Sequence, residues 1–230
     1  MISAKFYVFS LYQTFTLLAL RPMAINTIIF DLGNVLSDWN PKYVFDKMFR
    51  DEEKKKYFFE NICTMEWNEM QDAGRPIKEA TEELLEKHPE WSEYIKAYYG
   101  QWKDMLGGAI HETVEIFRQL KQSGKYKLYA LTNWSAELFP YALELYEFLH
   151  WFDGRVVSGE EKMRKPTLEF YHVLLDRFNV KASEALFIDD NHRNVQAAEK
   201  IGIKTIHFIS PQQLKKELEK LNLLDFETEK

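Results

Sequence analysis

Apolar residues in this chain fall into two rhythms. Short unbroken runs occur at Ile28-Ile29-Phe30, Leu128-Tyr129-Ala130-Leu131, Val156-Val157 and Ala185-Leu186-Phe187-Ile188. Runs of this length suit strands buried on both faces of a parallel sheet. Between them the apolar positions recur every third or fourth residue, the spacing of an amphipathic helix. Val114, Phe117 and Leu120 mark one such helix, ending at Gly124, a suitable C-cap. Ser135 to Tyr146 reads as a second helix, kinked at Pro140. Thr167 to Phe178 is a third, with Phe170, Leu174 and Phe178 on one face. Asn194 to Ile201 is stopped by Gly202; Thr205 to Phe208 reads as a last strand and Pro211 to Leu221 as a last helix. Strands alternating with helices imply right-handed βαβ units, hence an α/β fold with a doubly wound parallel sheet.

The alternation is interrupted after the first strand. Asn40-Pro41 reads as a helix entry, with Asn as N-cap and Pro in the first turn. From there to Tyr99 the pattern is helical: Lys42 to Arg50, Asp51 to Asn61, a turn at Asp72-Ala73-Gly74-Arg75-Pro76, Ile77 to Lys87, and Trp91 to Tyr99. The expected organisation is an α/β core from 23–37 and 107–230, with a small helical unit at 38–106 inserted between Ser37-Asp38 and Gly107-Gly108. Residues 1–22 read as a leader outside the core. Their apolar run, Phe6 to Leu20, is broken by Ser10, Gln13, Thr14 and Thr16, and Arg21-Pro22 offers no small-x-small cleavage site. Met23 reads as a natural start.

Composition narrows the class. The chain is 46% hydrophobic and 29% charged, as in an ordinary globular protein, and 230 residues suffice for a large core. A net charge of −6 without a long Lys/Arg block argues against a nucleic-acid partner. Cys63 is the sole cysteine, so no internal disulfide forms; this suits a reducing, cytoplasmic setting, and no membrane association is expected.

The chemistry collects at strand ends. Asp31 follows the first run, Thr132-Asn133 the second, and Asp189-Asp190-Asn191 the last acidic one. A parallel sheet places all three on its carboxyl edge, where open α/β folds bind ligands. Gly33 lets the backbone turn sharply after Asp31. Met163-Arg164-Lys165-Pro166 adds a cation at a helix start. A carboxylate, a hydroxyl, a cation and an acidic pair suit phosphoryl transfer through a covalent aspartyl intermediate. Two carboxylates about 5 Å apart repel by roughly 3 kcal/mol at an effective dielectric near 20. Converging acids therefore call for a cation, and oxygen ligands favour Mg²⁺.

Taken together, these segments resemble the haloacid dehalogenase-like hydrolase superfamily, subfamily I. Phe30-Asp31-Leu32-Gly33-Asn34-Val35 is similar to its first motif, Leu131-Thr132-Asn133 to its second, Arg164-Lys165-Pro166 to its third, and Phe187-Ile188-Asp189-Asp190-Asn191 to its fourth. The resemblance spans Asn26 to Phe208 and implies that the helical unit at 38–106 is a C1-type cap. It implies Asp31 as nucleophile and metal ligand, the Gly33 carbonyl and Asp190 as direct Mg²⁺ ligands, and Asp189 as a ligand directly or through water. Thr132 and the Asn133 region would hold phosphoryl oxygens, and Lys165 would neutralise charge. Trp67 and Arg75 are the cap residues expected to reach a small phosphorylated metabolite. The Asp-Leu-Gly-Asn spelling is most similar to the branch containing α-glucose-1-phosphate phosphatases, which implies a sugar phosphate.

One departure stands out. Most phosphatases of this superfamily carry a second Asp two residues after the nucleophile, as general acid and base; here that position is Gly33. Loss of a general acid typically costs 10²–10⁴-fold, about 3–5 kcal/mol. Two rival readings follow. A metal-independent 2-haloacid dehalogenase would use the same Asp31, but the Asp189-Asp190 pair would repel a carboxylate substrate. A non-catalytic metabolite-binding protein would keep the fold without turnover.

Overall fold

The computed structural model describes residues 24–224; the leader expected at 1–22 lies outside the described residues. Its centre is a five-stranded parallel sheet. The strands are β1 (Thr27–Phe30), β4 (Lys127–Thr132), β5 (Gly154–Val157), β6 (Ala185–Asp189) and β7 (Lys204–His207), in the order β5-β4-β1-β6-β7. Successive side chains of a strand point to opposite faces, and the apolar runs obey this. Ile28, Phe30, Leu128, Ala130, Leu186 and Ile188 join one buried cluster. Ile29, Tyr129, Leu131, Val156 and Phe187 join the other.

Helices cover both faces, so the sheet is doubly wound as expected. Helix α6 (His111–Ser123) presents Ile116, Phe117 and Leu120 to the first cluster, where α11 (Pro211–Lys220) adds Leu214 and Leu218. Helices α9 (Leu168–Arg177) and α10 (His192–Lys200) cover the second with Phe170, Tyr171, Leu174, Ala197 and Ala198. Gly124 ends α6 at φ +64°, the left-handed position foreseen for a C-cap. Among the described residues no helix is long and apolar enough to cross a membrane.

The stretch between β1 and α6 holds α1 (Lys42–Met48), α2 (Glu52–Asn61), α3 (Met65–Asp72), α4 (Ile77–Lys87) and α5 (Ser92–Gly100). Asp51 caps α2 by accepting from the Glu53 and Lys54 N–H groups at 2.9 and 3.2 Å. Phe45, Phe58 and Tyr98 are fully buried between these helices and join the same cluster as the sheet's first face. The flanking segments are not plain linkers. Ser37–Trp39 (β2) pairs antiparallel with Leu106–Ala109 (β3), giving the insertion a two-stranded base.

Local expectations needed correction around Pro140. Helix α7 spans Phe139–Leu145, so Pro140 occupies its first turn and kinks nothing. Ser135 lies before the helix, in a loop that meets the insertion. A short helix α8 (Ser158–Glu161) after β5 has no counterpart in the sequence reading.

Candidate active site

β1 lies between β4 and β6, so its carboxyl end is flanked by theirs. Asp31 continues from β1 with its N–H bonded to the Ile188 carbonyl at 2.8 Å. One carboxylate oxygen accepts the Leu32 N–H at 2.7 Å, which fixes the side chain close to its own backbone.

Lys165 is the charge centre. Its ammonium has no solvent exposure and lies 2.9 Å from Asp31 Oδ1 and 2.7 Å from Asp189 Oδ2. Burial disfavours the ammonium, but Asp189 and Asp31 outweigh that and hold its pKa above the ordinary lysine value. The Asn133 carboxamide holds this lysine from behind: Nδ2 donates to the Lys165 carbonyl at 3.0 Å and Oδ1 accepts the Lys165 N–H at 2.9 Å. Asn133 therefore spends its side chain on positioning Lys165, and only its backbone remains for an anion. Asp189 is equally committed. It accepts from Lys165, from the Asn191 N–H at 2.7 Å, and from Asn194 Nδ2 at 3.1 Å on each oxygen. Its lone pairs are used, whereas the Asp190 side chain accepts a hydrogen bond from Asn34. Asn34 sits at φ +56° and its Oδ1 accepts the Trp39 N–H at 3.3 Å, which aims its amide at Asp190.

Asp31, Asp189 and Asp190 each bring a carboxylate oxygen within 4.8 Å of the others. Burial pushes the Asp31 carboxyl well above the usual range despite Lys165, and Asp189 and Asp190 push it further. Burial and then Asp189 raise Asp190 as well. Both shifts disfavour ionised acids that lack a nearby divalent charge. An all-oxygen donor set short of positive charge fits a hard cation of the Mg²⁺ kind. Thr132 Oγ1 is fully buried without a hydrogen-bond partner, a hydroxyl free to engage a phosphoryl oxygen.

A cavity of about 300 Å³ opens above this edge. Of the residues expected from sequence, Asp31, Gly33, Asn133 and Asp190 line it, while Thr132, Lys165 and Asp189 are buried beside it. Trp67 and Arg75 are not brought in. Trp67 is packed edge-on against Tyr98 at 5.2 Å inside the insertion, and Arg75 pairs with Glu79 and Glu83. Trp67 is on the face of α3 turned to the insertion's own aromatic core, and Arg75 lies in the turn between α3 and α4. The cavity's upper wall is made instead by Met65, Asn68, Glu69 and Asp72 of α3, with Tyr99 and Trp102. Glu69 bridges Arg164 at 2.8 Å and Arg193 at 3.0 Å. His192 is exposed and packs on His207, outside the lining. Cys63 is buried, and burial pushes its thiol up, as suits a small core residue.

Comparisons with known proteins identify the family. A family model described as Haloacid dehalogenase-like hydrolase matches residues 28–208. Sesquiterpene phosphatase astK of Aspergillus oryzae is 30% identical over 180 residues, covering 78% of this chain and 87% of its own. Pyrophosphatase PpaX of Bacillus cereus is 26% identical over 186 residues, covering 80% of this chain and 82% of its own. The magnesium complex of a HAD family enzyme from Bacteroides thetaiotaomicron superposes with a TM-score of 0.63 at 22% identity, covering 81% of this chain and 94% of that one. The family match runs from the first buried strand to the last and takes in every strand end described above, and on that ground the chain belongs to the haloacid dehalogenase-like hydrolase family.

Proposed function

We propose that this protein hydrolyses a small phosphomonoester with Mg²⁺, using Asp31 as nucleophile. The observation that carries the reading is the buried Lys165 ammonium held between Asp31 and Asp189, beside Asp190 and under the cavity. Asp31 attacks phosphorus in line and the alcohol departs, leaving an aspartyl phosphate that water then cleaves. Lys165 keeps the Asp31 carboxylate oriented and balances the charge that the phosphoryl group brings. The Thr132 hydroxyl donates to a phosphoryl oxygen. Asp31, Asp190 and the Gly33 carbonyl would hold Mg²⁺, while Asp189 holds Lys165. The metal's contribution when bound is to neutralise the carboxylates and the transferring phosphoryl group. Residues 38–106 act as the cap, whose α3 wall excludes bulk water.

For the alcohol, the spelling of the Asp31 segment favours a sugar phosphate. A second reading has its own support. Trp39, Met65, Trp102, Trp134 and Leu138 all line the cavity and favour an apolar alcohol. The similarity to a protein named as a sesquiterpene phosphatase points the same way.

Phosphate release from 4-nitrophenyl phosphate, a hexose 1-phosphate and a prenyl monophosphate tests both levels. Release is expected with Mg²⁺, is lost in EDTA, and is lost in a folded Asp31→Asn variant. Equal rates in that variant would remove Asp31 from the mechanism. Whichever ester has the higher kcat/KM decides the alcohol.

A further inference from the structure

Expelling an alkoxide needs a proton at the bridging oxygen. The groups that touch Asp31 do not offer one. The Lys165 ammonium is shared by two carboxylates that strengthen its hold on its protons, and Leu32 contributes only a backbone N–H.

The cavity lining narrows the choice among the described residues. Asp31 and Asp190 belong to the metal set proposed above. Glu69 is bound by the guanidinium groups of Arg164 and Arg193. The Tyr99 hydroxyl donates to Asn68 Oδ1 at 3.0 Å, and burial makes it a weaker acid than free tyrosine. Arginine keeps its proton at any working pH. Asp72 is what remains. It ends α3 and lines the same cavity as Asp31, and the core holds it there from two sides. The Ser158 hydroxyl donates to its carbonyl, and the Ser135 N–H donates to its carboxyl. Asn68 Nδ2 approaches Asp72 Oδ2 at 3.5 Å.

We propose that Asp72 is the general acid and base of the reaction, supplied by the helical insertion in place of a side chain at position 33. The proposal rests on the phosphatase reading of the site. In the first step an Asp31 oxygen bonds to phosphorus, the bond from phosphorus to the ester oxygen breaks, and the Asp72 proton goes to that oxygen, releasing neutral alcohol. In the second step the Asp72 carboxylate takes a proton from water as the water oxygen bonds to phosphorus. The aspartyl phosphate then releases hydrogen phosphate, and Asp31 and Asp72 return to their starting states.

The surroundings of Asp72 suit the role. Burial raises its carboxyl to about 7, against the pull of Arg164 and Lys165 and the Ser135 N–H, with Glu69 raising it further. Tyr99 is its charge neighbour from α5. An acid with such a value carries its proton near neutral pH and still gives it up.

The test is Asp72→Asn, which keeps an oxygen to accept the Ser135 N–H and removes the proton. Log kcat/KM is plotted against leaving-group pKa for aryl and alkyl phosphates in Mg²⁺, with folding checked by circular dichroism. The expected result is a small loss of kcat/KM for 4-nitrophenyl phosphate and a loss of ~10²–10⁴-fold for alkyl phosphates, with kcat lowered for every ester because the base of the second step is gone, and with Asp72→Glu intermediate. The wild-type alkyl rate should fall above a pH of about 7, and the Asn variant should lack that limb. Equal losses of kcat/KM for every ester would make Asp72 a structural latch and overturn the proposal, as would an unchanged series. Failure of the phosphatase reading looks different: wild type would then release no phosphate even from the activated aryl ester.

Discussion

Lys165 has both of its charged partners buried with it, so its removal cannot be compensated by water. Lys165→Met would leave Asp31 and Asp189 facing each other without a cation. Breaking a buried pair by deleting one partner costs about 3–5 kcal/mol. A drop of that size in the urea unfolding free energy of the metal-free protein is expected; a change within error would mean the carboxylates share a proton with little penalty. Asp72 gives a second prediction, read without catalysis. Its carboxyl is raised to about 7 in the folded chain from an ordinary value of 3.8. Folding therefore takes up a proton between those values, and this contribution to stability is present below the lower value and fades as pH rises through the upper one. The Asn variant has no such dependence. The melting temperature of wild type minus that of Asp72→Asn should thus fall between pH 4 and pH 8. Position 33 links the two roles. A Cβ built on Gly33 meets nothing within 4 Å, and the residue is not in the left-handed region, so Gly33→Asp should fold. It should rescue alkyl phosphate turnover in the Asp72→Asn background far more than in wild type, because the second carboxylate matters most when the first is gone.

At the scale of elements, what could be read from sequence was whatever is buried on both sides. The three inner strands announce themselves because each residue of Ile28 to Phe30 or Leu186 to Ile188 faces one apolar layer or the other. β2 and β3 carry no such run; Ser-Asp-Trp and Leu-Gly-Gly-Ala are poor in strand formers, and only tertiary placement pairs them. Pro140 shows the limit of a local signal, since proline marks both a kink and a first turn. The site divides the same way. Asp31, Thr132, Asp189 and Asp190 were legible because strand ends converge by topology. Asp72 and Glu69 could be named from sequence only as acids of the insertion, and whether they or Trp67 reach the cavity depends on which face of α3 docks, which residue type does not reveal. Docking itself depends on α8. A Cβ on Gly159 would lie 2.3 Å from the Ala136 nitrogen and 2.8 Å from the Trp134 carbonyl. These are backbone atoms of the loop that carries Ser135, so they can move only by shifting the loop. Gly159→Ala should cost about 1–3 kcal/mol as an overpacking change. Its alkyl phosphate turnover should fall more than its aryl turnover, because the Ser135 contact to Asp72 shifts with the loop. Equal falls would separate the loop from proton transfer.

For the molecule as a whole, turnover under this reading requires the insertion to stay seated on the core. Part of that seat is polar. Glu69 of α3 is bridged to Arg164 and Arg193, and the Ile77 N–H of α4 donates to Glu137 at 2.7 Å. Partly exposed ion pairs contribute little each, about 0.2–1 kcal/mol, and salt weakens them. Such a latch suits a wall that must open to release product. The bridges should then appear in kcat/KM and scarcely in global stability. Glu69→Gln, Arg193→Gln and the double variant form a cycle that isolates the pair. A coupling of ~1 kcal/mol in the activation free energy, about fivefold in kcat/KM, is expected at low salt. It should shrink as ionic strength rises, because the Arg193 side of the pair is open to solvent. Thermal unfolding of all three variants should stay close to wild type. A coupling that appears equally in the melting temperature would mean the bridges hold the fold rather than the closed wall. A zero coupling in kcat/KM would mean that the apolar contacts around Trp102 and Trp134, whose rings meet edge-on at 5.8 Å, are enough to keep the insertion seated.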